Sequence, residues 1–246
     1  MAMHRLGETR SSNQRDHLLQ TPDTFVRTTL PRMQNAVAIV HVAPAAGAAF
    51  VQYTAELEAG GVLGTTSTQR FIYVLEGVID LATGTSFQTL ATGGFAYIPA
   101  GLEHTVSASA GARLAVIEKP YEAIDGVSAP KLLIGTETDM PSTALMGDDD
   151  LQVCSLVPND AGFDFAVNTM TYAPGAALGM VEIHVMEHGL LMLEGGGIYR
   201  LGDRWYPVTA GDFIWMAPCC PQWFGALGKV PAKYLIYKDW NRHPLG

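Results

Sequence analysis

The run Val181–Gly189, VEIHVMEHG, concentrates side chains that can do chemistry: Glu182, His184 and His188. All three positions are even-numbered, so on a single β-strand they would project to one face. Gln222 lies further on, after an APCCP turn that predicts the start of another strand. Two imidazoles, one carboxylate and one amide carbonyl make an N₂O₂ donor set. That set suits a fairly hard divalent ion such as Mn²⁺, with Fe²⁺, Ni²⁺ or Zn²⁺ as competitors. Six-coordination would leave two positions open for water or substrate, as a Lewis-acid catalyst requires. A lone histidine is usually a satisfied core or surface residue. Three potential donors within seven residues on one strand face are better read as ligands.

The same residues spell a rival motif. His184, Glu187 and His188 form H-x-x-E-H, a zinc-protease signature that needs a helix to place its histidines one turn apart. Here Val181, Ile183 and Val185 flank the motif, Gly189 follows at once, and Gly195-Gly196-Gly197 comes soon after. These are strand and turn residues, so the strand reading is preferred. On that strand Glu187 is odd-numbered and points away from the other donors. Cys219 and Cys220 lie close to Gln222 and are expected to pack under the barrel mouth rather than act as ligands or redox groups.

The elements that must position these groups are short. Arg70–Glu76, Phe95–Ile98, Leu114–Glu118, Phe213–Met216 and Tyr234–Tyr237 are apolar runs bounded by turn residues, and no window keeps a helical period. An internal repeat organises them. Gly77 and Gly195, Gly93 and Gly211, and His104 and Gln222 are each separated by 118 positions within similar flanks. The expected layout is an arm at 1–32 without catalytic role, a first unit at 33–128, a turn-rich linker at 129–150 and a second unit at 151–246. Each unit reads as an all-β antiparallel barrel or jelly roll. In the first copy Gly64, Thr66 and Arg70 stand where the second has its ligands, and His104 is the one survivor. One histidine cannot hold a catalytic metal, so this barrel is expected to be metal-free, with Arg70 as a possible anion contact.

Bulk properties narrow the function classes. The chain has 246 residues, 48% hydrophobic and 16% charged, which excludes disorder. A net charge of −9 repels phosphate backbones and argues against nucleic acid as a partner. The apolar stretch 36–51 is too short for a membrane span and carries His41, Pro44 and Gly47, so it reads as two strands and a turn. Three cysteines do not make a disulfide framework, and the first thirty residues lack a secretory h-region. A cytoplasmic location is expected.

The six residues between His188 and Gly195, the sixteen-residue interval to Gly211 and the turn leading to Gln222 resemble the two motifs of the cupin fold. The duplication makes the chain similar to a bicupin, with two tandem double-stranded β-helix (jelly-roll) barrels. The order Glu182-x-His184, His188, Gln222 resembles the (S)-ureidoglycine aminohydrolase family of allantoin and purine degradation. The resemblance implies one Mn²⁺ per chain in the C-terminal cupin, held by Glu182, His184, His188 and Gln222. It implies that Glu182, Gln222, Tyr199, Tyr234 and Lys238 contact a small anionic ureido substrate, with Lys238, Glu182 and Tyr199 catalytic. It further implies hydrolysis of (S)-ureidoglycine to (S)-ureidoglycolate and ammonia by a homo-oligomer. Independently of the family, Tyr234 and Lys238 share even parity and so face one side of a strand. Two other readings stand beside this one: another metal-dependent bicupin such as an Fe²⁺ dioxygenase, and a non-catalytic small-molecule-binding cupin.

Overall fold

The computed structural model describes residues 8–84 and 86–242. Among these the regular elements are β-strands and three short 3-10 turns, with no α-helix. No helix is long and apolar enough to cross a membrane. The chain forms two compact units. One comprises Val26–Pro141 with Leu156–Ala166; the other comprises Met1–Phe25, Ser142–Ser155 and Val167–Gly246.

The first unit is a ten-stranded antiparallel sheet that curls on itself. Residues 36–51 behave as their pattern predicts. Met33–Val42 and Val51–Leu63 are strands, joined through a 3-10 turn at Pro44–Ala46 that ends on left-handed Gly47. Gln69–Glu76 is buried on both faces. Ile72 and Val74 enter the barrel core, while Phe71 stacks on Phe95 at 6.0 Å. This two-sided burial is why the sequence shows a continuous apolar run there rather than alternation.

The second unit sets an eight-stranded sheet against a three-stranded one. The larger sheet runs in the order Ser12–Asn13, His17–Gln20, Phe213–Met216, His188–Glu194, Ala232–Asp239, Phe165–Tyr172, Asp148–Ser155, Ser142–Leu145. The smaller runs Arg204–Thr209, Gly196–Leu201, Gln222–Ala226. Leu190, Ile214 and Tyr234 from one sheet meet Tyr199, Val208 and Phe224 from the other in a single core, as in a jelly roll.

The 118-residue register is a structural repeat. The successive strands Gln69–Glu76 and Val78–Thr83 match His188–Glu194 and Gly196–Leu201, and the strand start at His104 matches that at Gln222. In each copy one glycine with positive φ, 85° at Gly77 and 62° at Gly195, joins the two strands, which pair with other strands rather than with each other. A Cβ there would overlap the Gly111 or the Pro231 carbonyl oxygen, so only glycine fits.

Three segments are placed differently from the linear layout. Residues 8–25, set apart as an arm, pair with the second barrel: Phe213–Met216 takes His17–Gln20 as its neighbour. Leu19 joins that barrel's core, and Arg10 makes bonds of 2.6 and 2.9 Å to the fully buried Asp212 carboxylate. Residues 129–150, read as a linker, carry a strand for each unit. Leu133–Thr136 pairs with Gly94–Ile98, and Ser142–Leu145 pairs with Asp148–Ser155. Residues 156–166 fall with the first unit because Asp164, fully buried, accepts from Lys119 Nζ at 2.9 Å and Gln69 Nε2 at 2.6 Å. The partners of residues 8–25, 133–136 and 164 lie far along the chain, so local composition carries no trace of those pairings, whereas Ser142–Leu145 closes a local hairpin with Asp148–Ser155. Residues 1–7 of the leading segment lie outside the described residues.

His41 is buried in the first unit with Nε2 2.8 Å from Thr54 Oγ1. Burial, aided by the charge of Arg113, pushes it down to about 3. In the unfolded chain it takes up a proton near pH ~6.5. Between those values the unfolded state binds more protons, so stability is full above pH ~6.5 and falls as the pH drops. The thermal midpoint of His41→Gln is therefore expected to fall less between about pH 7 and pH 5 than that of the unaltered protein. Parallel slopes in the two proteins would show that His41 does not contribute.

Candidate functional site

The seven residues singled out in the second barrel come together. Glu182, His184, His188, Tyr199, Gln222, Tyr234 and Lys238 all line one cavity of about 310 Å³. The way they converge differs from the expectation of a single strand. Glu182 belongs to an isolated bridge opposite Gln222, His184 lies in a loop, the chain bends at 185–186, and a strand begins only at His188. The cause is visible in exposure. Val181 and Ile183 are 38% and 64% exposed, so no apolar face holds this stretch in a sheet. Two backbone bonds fix it instead, Glu182 N to Gln222 O at 2.8 Å and Gln222 N to Glu182 O at 2.9 Å. The Cys219 amide adds a third by donating to the His184 carbonyl at 2.7 Å.

The donors face one another. His184 Nε2 is 3.1 Å from Glu182 Oε2, and the His184 and His188 rings stack at 5.2 Å. His188 Nδ1 is 3.2 Å from the Met186 carbonyl, which fixes the ring and leaves Nε2 for the site. Burial, with the nearby charge of Lys238, pushes His188 down to about 3, so its ring is neutral at neutral pH. Tyr199 donates to Gln222 Oε1 at 3.1 Å. This arrangement of imidazole, carboxylate and amide oxygen fits a divalent cation of the harder class. Glu187 turns away, as its odd number predicts: its carboxylate accepts from Trp215 Nε1 at 3.1 Å. No helix forms over 184–188, so the protease spacing is not realised.

Tyr234 and Lys238 both reach the cavity from the strand Ala232–Asp239, whose Lys238 sits opposite His188. Burial lowers the Lys238 ammonium, while the Glu182 carboxylate acts against that shift. Tyr234 and Tyr172 share a hydrogen bond of 2.8 Å, and burial raises Tyr172, Tyr199 and Tyr234, so all three remain neutral phenols. Sequence reasoning missed Thr143 and Asn168, which also line the cavity. Thr143 comes from the supposed linker, and Asn168 sits on a strand with no chemical motif. Cys220 is buried next to the rim, with its thiol pushed up to about 11 by burial and the nearby Asp16 carboxylate.

The first barrel is built differently at the same place. Arg70, the counterpart of His188, donates to His104 Nε2 at 2.8 Å and to the Gly64 carbonyl at 2.9 Å. Those acceptors are the counterparts of Gln222 and Glu182. Glu118 neutralises the guanidinium at 2.7 Å, and Tyr53 donates to the same carboxylate. The counterparts of Tyr199, Tyr234 and Lys238 are Leu81, Val116 and Pro120.

Two family models match the chain: a cupin domain over residues 168–237 and an EutQ-like cupin domain over residues 44–121. The chain is 41% identical over 242 residues to the (S)-ureidoglycine aminohydrolase of Arabidopsis thaliana, covering 97% of this chain and 80% of that protein. The chain belongs to the (S)-ureidoglycine aminohydrolase family. Its relative of that name in Escherichia coli K12 is 34% identical, with 91% of this chain and 88% of that protein covered. Among solved structures, the putative glyoxylate-induced protein of Pseudomonas aeruginosa superposes with a TM-score of 0.88 at 30% identity, covering 98% and 94% of the two chains. Protein Ylba of E. coli superposes at 0.85 with 28% identity, covering 96% of each. As a member of this (S)-ureidoglycine aminohydrolase family the chain is an enzyme, and its all-β fold is a bicupin.

The guanidinium of Arg70 is a fixed charge bonded to the Gly64 carbonyl, His104 and the Glu118 carboxylate. Thr66→Ala combined with Arg70→Ala is expected to leave metal content, measured by elemental analysis, unchanged. It should also lower stability by about 3 kcal/mol, as expected when a largely buried charge loses its partner. Loss of metal from the double variant would place a metal in the first barrel instead.

Proposed function

We propose that this enzyme hydrolyses (S)-ureidoglycine to (S)-ureidoglycolate and ammonia in ureide catabolism. In this reading one Mn²⁺ is held in the C-terminal barrel by Glu182, His184, His188 and Gln222. The observation that carries it is the convergence of those four donors with Tyr199, Tyr234 and Lys238 on one small cavity. The shared names of the relatives support the substrate.

The reaction breaks one C–N bond and forms one C–O bond. Water supplies the hydroxyl to the substrate carbon, and its remaining proton leaves with the nitrogen as ammonia. When bound, a divalent ion supplies Lewis-acid polarisation and a positive charge for an anionic substrate group. The chain's own residues do the rest. Lys238, on the strand beside His188, is the proton-transfer group: it gives a proton to the departing amine and regains one from water. Tyr199 holds the Gln222 amide in place through its 3.1 Å bond and so sets the orientation of that amide in the cavity. Tyr234 is anchored by Tyr172 and orients the ureido or carboxylate group from the cavity wall. Glu182 completes the polar side and contacts the substrate together with Gln222. The core around these groups, with Phe224, Met192 and Ile236 buried, keeps bulk water from the reacting carbon.

The same reading has the enzyme act as a homo-oligomer in the cytoplasm, with neither nucleic acid nor membrane as partner. The net charge of −9 and the three free cysteines are in keeping with it.

Ammonia release from freshly generated (S)-ureidoglycine, followed with and without added Mn²⁺, tests the function directly. Activity that appears with the metal and disappears on chelation is expected. Glu182→Ala, His184→Ala and His188→Ala should each lose both metal and turnover. Lys238→Ala should keep its metal and lose about 10²–10⁴-fold in kcat, the usual range for removing a general acid–base group. A metal-replete Lys238→Ala protein with full activity would refute the role of that lysine. Absence of ammonia release from the metal-loaded protein would refute the substrate.

A further inference from the structure

A second cluster of metal-ligating side chains lies in the same unit and outside the cavity. Asp16, His17 and Cys220 each point one donor atom inward, and the three atoms lie within 4.8 Å of one another. We propose that Asp16, His17 and Cys220 form a second metal site, for a borderline-soft divalent cation of the zinc class, which fastens the N-terminal hairpin to the barrel rim.

The donor chemistry sets this site apart from the first. A thiolate, an imidazole and a carboxylate form an N/O/S set, which Zn²⁺ accepts and Mn²⁺ does not favour. Tetrahedral zinc at bond lengths of about 2.0–2.3 Å sets its donors roughly 3.3–3.8 Å apart. The Asp16–His17 separation of 2.9 Å opens slightly and separations of up to 4.8 Å close by about 1.0–1.5 Å, which side-chain rotation supplies. Three protein donors leave the fourth position to water. The charges balance as well. One carboxylate and one thiolate neutralise a divalent ion, and the thiol proton leaves to solvent when the metal takes its place.

The surroundings are those of a ligating histidine. His17 is 2% exposed and Cys220 is 4% exposed. His17 Nδ1 lies 2.9 Å from Asp16 Oδ1, on the side of the cluster. Its other nitrogen, Nε2, is 2.8 Å from the Tyr206 hydroxyl, which in turn is 3.1 Å from Ser12 Oγ. Metal on Nδ1 leaves the ring proton on Nε2, where it is donated to Tyr206. That is the outer-shell bond such ligands make. Asp16 is already docked to the rim, since the Ala217 amide donates to its carbonyl at 2.9 Å. His17 begins the strand that pairs with Phe213–Met216, and Cys220 precedes the strand of Gln222. A metal here would join the leading segment to the strand that carries a catalytic-site ligand.

Cobalt(II) reports the difference between the two sites, because only a thiolate ligand gives a sulfur-to-cobalt charge-transfer band in the near ultraviolet. The whole protein, stripped with a chelator, is titrated with Co²⁺ and then with Zn²⁺ or Mn²⁺. One equivalent with the charge-transfer band is expected in the unaltered protein, in Cys219→Ser and in Glu182→Ala combined with His184→Ala. Zn²⁺ should abolish the band, Mn²⁺ should not, and Zn²⁺ should raise the thermal midpoint by several degrees. Cys220→Ser should lose the band, and Asp16→Asn should weaken cobalt binding at least tenfold. Absence of the band in the folded, unaltered protein overturns the proposal, whatever Cys220→Ser does. So does a band that survives Cys220→Ser or vanishes in Cys219→Ser.

Discussion

The pair of backbone hydrogen bonds between Glu182 and Gln222 is the constraint on which the site depends. The stretch around Glu182 has no apolar face to hold it in a sheet, with Ile183 64% exposed. The chain at Glu182 is attached to the barrel at the position that carries the distant ligand. That attachment brings a carboxylate and an amide forty residues apart to one spot. The bend at 185–186 then turns the chain so that His188 enters the sheet opposite Lys238. Ligand convergence thus comes from a rim loop clamped at both ends, and the rigid strands of the barrel supply the two clamps.

The two barrels show how one architecture carries different contents at the same register. Both copies turn from one strand into the next on a left-handed glycine that a carbonyl oxygen approaches too closely for any side chain. Inside, the first barrel places the guanidinium of Arg70 against the counterparts of two ligands and neutralises it with Glu118. A covalently attached cation does there what an exchangeable cation is proposed to do in the second barrel: it satisfies inward-pointing acceptors at the mouth. A guanidinium has no open coordination position, however, and Leu81 and Val116 put apolar groups where the second barrel has the phenols of Tyr199 and Tyr234. The proposed chemistry therefore draws on one copy, while both copies fold by the same pattern of burial.

Much of this was legible in the chain itself. The 118-residue register follows from glycines and turn motifs, because a turn that needs positive φ records that need locally. Glu182, His184, His188 and Gln222 were legible from donor types, spacing and strand parity, whereas Tyr199, Tyr234 and Lys238 were legible through the family resemblance, with parity adding that the last two share a face. Parity sorted Glu187 away as well, and its carboxylate does bond Trp215 on the other side. The parity argument reached the right residues at Glu182 and His184 through a strand that does not form. Alternation along a short run cannot distinguish a paired strand from an extended loop, because pairing depends on a partner elsewhere.

The sequence by itself determined the β class, the duplication, the family pattern and the set of side chains able to hold a metal, since each is written in local residue types and spacing. Tertiary structure alone decided where segments 8–25, 129–150 and 156–166 belong. Those placements rest on the Arg10–Asp212 pair, on strand pairing at Leu133–Thr136 and Ser142–Leu145, and on the buried Asp164 with Lys119 and Gln69. It also decided that Asp16, His17 and Cys220 meet. Contacts between residues up to about two hundred positions apart depend on how the sheets close, and no local pattern encodes that closure.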